Sequence, residues 1–145
     1  MSNIPHIPAL RRGRAYDSLD KAQIVDHRTG ALLAQISQVN AGIIRKDLAR
    51  ISESRAALKR FATADLIGIC AKAGEEFLNG TLHFGDKGHT QSASEYIQTL
   101  SATSGLPHVM VRRNMAKIHH ALTNMRGILN GLTRGLSLEV LDRGY

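Results

Sequence analysis

The chain reads as an α+β protein dominated by helix. Three observations point there: apolar residues recur at helical spacing in several long segments, one short turn-rich segment separates two apolar runs, and glycine or asparagine stands where those segments end. The predicted order is a β-hairpin, about four helices and a C-terminal strand without a partner.

Residues 1–20 carry Pro5, Pro8 and Gly13 around Arg11, Arg12 and Arg14, a pattern that favours an extended arm over a helix. Residues 21–145 read as one helical domain. Within it, Ile24-Val25 and Leu32 to Ile36 flank Asp26-His27-Arg28-Thr29-Gly30, which predicts strands near 22–27 and 31–37 with Gly30 at positive φ. Asn40 is a good N-cap. After it Ile44, Leu48, Ile51, Leu58 and Phe61 share a face, predicting a helix over 41–61.

Thr63 is suited to cap a second helix, with Leu66, Ile69, Cys70, Ala73 and Phe77 inward and Asn79-Gly80 closing it. Thr81 to His89 has no periodic signal and reads as an ordered loop. A shorter helix fits 91–103, with Ala93, Tyr96, Ile97 and Leu100 inward.

From Pro107 the apolar residues Val111, Met115, Ile118, Leu122, Met125, Leu129 and Leu132 alternate spacings of four and three, predicting one long helix to 134 with Gly135 as its stop. Its charges are all positive, so packing on the chain's own helices is favoured over an intermolecular coiled coil. Leu136, Leu138 and Val140 alternate as a strand would.

The 145 residues carry 19 Lys and Arg against 12 Asp and Glu, a formal charge of +7, and 43% are hydrophobic. That composition is too apolar for disorder, and no uninterrupted apolar stretch approaches the length of a membrane span. A globular chain of this size buries about 68–70% of its unfolded surface. One cysteine and a start lacking a charged-then-apolar leader lead us to expect a cytoplasmic protein.

Few residues announce chemistry. Cys70 lies inside a helix between Ile69 and Ala71, away from the positive charge a thiolate needs, and reads as structural. The histidines are badly spaced for a metal: His119 and His120 point about 100° apart on a helix, and His83, Asp86 and His89 form the best local cluster. Neither dinucleotide nor P-loop fingerprints occur. The distinctive feature is Arg112, Arg113, Lys117, Arg126 and Arg134 between Pro107 and Gly135, five cations without one carboxylate. Such a face could meet phosphate backbones or an acidic partner. Aromatic RNA motifs and zinc-finger spacing are missing.

Ile24-Val-Asp-His-Arg-Thr-Gly-Ala-Leu-Leu-Ala-Gln-Ile36, Val39-Asn-Ala-Gly-Ile43, Ala56-Ala-Leu-Lys59 and Leu66-Ile-Gly-Ile-Cys-Ala-Lys-Ala-Gly74 together resemble the opening of NAD(P)-dependent aldehyde dehydrogenases. Ser104-Gly-Leu-Pro107 and the helix running on to Leu141-Asp-Arg-Gly-Tyr145 look more like a divergent branch near the acyl-CoA reductases. The resemblance implies an N-terminal portion of such an oxidoreductase, a hairpin used in subunit contacts, and helices beside a domain that binds NAD or NADP. The family's nucleophilic cysteine, oxyanion-binding asparagine and water-activating glutamate all lie downstream of the matched segment. None is carried onto this chain, so no catalysis and no cofactor is expected of it alone. Its expected partners are the rest of the polypeptide or a homo-oligomer.

Overall fold

The computed structural model describes residues 4–86 and 88–143. It is α+β and helix-dominated, as the periodicities predict. The hairpin forms from β4 (Lys21–Val25) and β5 (Leu32–Ser37), with register Gln23 to Gln35. Its turn follows from Asp26, whose Oδ1 accepts from the N–H groups of Arg28 (2.8 Å) and Thr29 (3.2 Å), while Gly30 takes φ +70°.

The N-terminal residues are extended but paired. β1 (His6–Ile7) adds to β5 in parallel, giving the sheet order β1-β5-β4. Next, β2 (Ala9–Arg11) and β3 (Arg14–Tyr16) form a second hairpin around Arg12 and Gly13, both left-handed at φ 53° and 78°. A two-residue turn with two positive φ angles matches strand twist and usually takes Asn-Gly. Holding a non-glycine residue such as Arg12 there costs about 1–3 kcal/mol.

The helix expected over 41–61 is two helices, α1 (Ala41–Leu48) and α2 (Ile51–Leu58). Asn40 caps the first, accepting from the Ile43 N–H at 3.0 Å. The ladder tightens where they meet, since Arg50 N–H reaches back only to Asp47 O (3.1 Å) and the Arg50 side chain turns to Glu53. The shared apolar face exists but nothing covers it: Ile44, Leu48, Ile51, Leu58 and Phe61 are all exposed, Ile51 at 60%.

The core sits between α3 (Thr63–Asn79) and α5 (His108–Thr123), which make the most extensive helix contact. Val111 is fully buried and Met115 2% exposed. The helices approach closely at Gly74, where a Cβ would stand 3.1 Å from Leu122 Cβ. Glu75 and His119 bond alongside at 2.8 Å. The first turn of α3 is capped from afar. Asp142 Oδ1 accepts the Thr63 N–H at 2.7 Å and also the Thr63 hydroxyl, so Thr63 is the first helical residue and not its own cap.

Thr81 to His89 departs from the expected loop. β6 (Thr81–His83) pairs with β7 (Thr90–Ser92), strands too short to carry a period. α4 (Ala93–Ser104) opens on a capping box of Ser92 and Glu95 and ends at left-handed Gly105. It touches the first hairpin through His27, whose N–H and Nδ1 both meet Ala102 O, at 2.9 and 2.7 Å. Phe77 and Tyr96 pack edge-to-face at 5.4 Å.

The long helix is kinked into α5 and α6 (Met125–Leu132) at Asn124. There the Thr123 hydroxyl bonds His119 O and the Asn124 amide bonds His120 O, both at 2.9 Å. Side chains back-bonding to the previous turn bend helices in this way. The seam therefore fades along its length, and Leu132 is 76% exposed.

The strand expected at 136–141 is instead α7 (Leu138–Arg143). Alternating Leu136, Leu138 and Val140 also satisfies a short helix when Leu141 is counted. None of the sheets among the described residues takes in this segment, and a helix pairs its backbone groups internally. The Asp142 bonds to Thr63 fix it. No helix among the described residues is long and apolar enough to cross a membrane.

Candidate anion-binding site

Of the five cations singled out in the sequence, Arg112, Arg113 and Lys117 stand on α5, Arg126 on α6 and Arg134 just past α6 at φ 55°. All five are exposed, and none has an ion pair among the described residues. At about 100° per residue, Arg113 and Lys117 lie opposite Val111 and Met115, pointing to solvent, and Arg112 lies on the flank. The kink at Asn124 separates these three from Arg126 and Arg134, so the continuous stripe implied by the sequence is divided.

A tighter group comes from residues read as part of an arm. Arg11, Arg12 and Arg14 on the β2–β3 hairpin face Lys46 and Arg50 of the α1–α2 junction across a cleft of about 580 Å³, with Tyr16 on its wall. Arg11 donates through Nε and Nη2 to the two Asp47 oxygens, both at 2.7 Å, and its guanidinium lies 4.8 Å from the centre of the Tyr16 ring. Glu53 accepts from Arg50 (2.8 and 3.0 Å) and from Arg12.

These bonds set the local electrostatics. Hydrogen bonding from Arg11 holds the Asp47 carboxyl below its ordinary range, and Asp47 raises Arg11 in return. Arg50 lowers Glu53 in the same manner. All four therefore stay charged at neutral pH. Asp47 lines the cleft with five cations, Glu53 holds two of them from beside it, and among the described residues Arg14 and Lys46 have no ion pair. Three arginines within four residues were visible in the sequence. Their opposition to Lys46 and Arg50, more than thirty positions away, was not.

A second constellation has the composition of a hydrolytic triad. His6 lies 2.9 Å through Nε2 from Ser37 Oγ and 3.1 Å through Nδ1 from Asp86 Oδ2. Its Nε2 also lies 3.4 Å from Asp17. Here the arrangement is a clasp. Ser37 and His6 are buried, Ser37 Oγ accepts the Ser18 N–H at 2.9 Å, and neither residue lines any of the main cavities among the described residues. Little of the hydroxyl's surroundings is therefore open to a substrate carbonyl. The clasp also takes Asp86 out of the His83, Asp86 and His89 cluster by directing it to His6. No group of three His, Cys, Asp or Glu among the described residues could hold a metal ion. Cys70 is half-buried on α3.

No known protein family, curated protein or solved structure matches the chain.

Proposed function

We propose that the chain is an assembly segment: the N-terminal portion of an aldehyde dehydrogenase-like oxidoreductase that interconverts aldehydes with acids or acyl-CoA using NAD or NADP. It packs on the remainder of that polypeptide or on other copies, in the cytoplasm, and does not catalyse alone. One observation carries this reading. The chain presents 10656 Å² to solvent, whereas a compact monomer of 15.8 kDa presents about 7,300 Å². The excess includes the apolar row from Ile44 to Phe61 and the outer end of the α6 seam, surfaces of the kind that interfaces cover. The resemblance of Ile24–Ile36 and Leu66–Gly74 supplies the family; the exposed faces supply the role.

The test is to read the gene beyond the codon for Tyr145 and express the whole frame. A continuing frame with a cysteine and a glutamate motif, and NAD(P)H formation from an aldehyde by its product, is the expected result. A stop codon with no dehydrogenase frame adjoining it, together with a stable monomer in solution, overturns the proposal.

The exposure of Arg112, Arg113, Lys117, Arg126 and Arg134 without carboxylate partners favours a second reading, a stand-alone module binding nucleic acid or an acidic protein. Duplex DNA affinity that falls steeply with salt would support it, and a flat response removes it.

A further inference from the structure

The cleft between the β2–β3 hairpin and the α1–α2 junction is distinct from the faces assigned to assembly. We propose that it binds the phosphate group, monoester or diphosphate, of a small soluble molecule. Four features converge on this. The cleft measures about 580 Å³, the size of a small-ligand pocket. Its cations come from two different elements and line one cleft together, unlike the α5 cations, which stand along one helix. Arg11 and Arg50 are already held in place by Asp47 and Glu53, so little side-chain freedom would be lost on binding. Arg14 and Lys46, without an ion pair among the described residues, remain to meet an anion. The backbone agrees. Arg12 occupies a left-handed position that Asn or Gly would fill more easily, and that turn keeps three arginines within one hairpin tip.

Arginine recognises phosphate through paired N–H donors and lysine through a compact charge, so the set suits a phosphoryl group better than a carboxylate.

Calorimetric titration with inorganic pyrophosphate at low ionic strength tests this. The expected result is saturable binding at one site, weakened about tenfold or more in R14Q/K46Q, which breaks no ion pair of the fold. R113Q/K117Q removes the same charge elsewhere and is expected to leave affinity unchanged within about twofold. Equal weakening in both double variants, or no saturable binding by the wild type, overturns the proposal. So does duplex DNA that displaces pyrophosphate and depends on the same residues, because the cleft would then serve a polymer.

Discussion

The helix pair α3–α5 and the helix pair α1–α2 are built from similar amphipathic patterns and end in opposite situations. In α3–α5 the apolar stripes meet: Val111 and Met115 are enclosed and Gly74 lets the axes approach. In α1–α2 the stripe from Ile44 to Phe61 is just as regular, yet neither helix makes more than isolated contacts with another element. What ties that pair to the body is polar, Arg11 to Asp47 and Arg12 to Glu53. Amphipathicity thus states that a face wants cover, and a small residue at the crossing point decides which face finds it within the chain.

This contrast can be broken from either side. Met115→Ala in the enclosed pair is expected to cost about 2–5 kcal/mol in urea unfolding, through lost burial and a residual cavity. Gly74→Leu forces a side chain into the space held by Leu122 and is expected to cost about 1–3 kcal/mol. If either substitution is silent, the core lies elsewhere.

The pH dependence separates the regions more finely. Hydrogen bonds from Thr63 hold the Asp142 carboxyl below its ordinary value. A carboxylate lowered in the folded state binds fewer protons there than in the unfolded state, so its contribution is complete above the unfolded value, about 3.9. It is lost as pH falls through the lower folded value. Acidification is therefore expected to open the first turn of α3, read from the Thr63 amide resonance, and Asp142→Ala, which removes the acceptor, should show that opening already at neutral pH.

The same sign holds for Asp47, so Asp47→Asn should raise hydrogen exchange across α1–α2 while the melting of α3–α5 stays unchanged. The smallest effect is expected for Ile51→Glu: within about 0.5 kcal/mol of wild type in stability, but with reduced self-association by ultracentrifugation. A large loss of stability there would show that the face is covered within the chain.

Legibility in the sequence followed the range of the interaction. α3 matches its expected bounds because its Asn79-Gly80 stop is local, although Ile69 and Ala73 of its expected inward stripe are exposed, and Asn40 and Gly30 act where local rules place them. The break at Arg50 and the kink at Asn124 were hidden because they arise from single side-chain bonds, to Glu53 and His120, that periodicity does not register. α7 was misread because four apolar residues fit two periods and the choice rests on Thr63, 79 positions away. The candidate cleft was half legible, as three clustered arginines, and incomplete until folding brought Lys46 and Arg50 opposite them.

The clasp at His6 bears on how the molecule is made. β1 leaves the ribosome before the carboxylate that holds its histidine, which follows 80 residues later. At about 5–20 residues per second, β1 waits roughly 4–16 s for that partner. β5 is made in between, and its end precedes that carboxylate by about 50 residues, roughly 2.5–10 s. The clasp therefore closes only after every strand of the β1-β5-β4 sheet has been made.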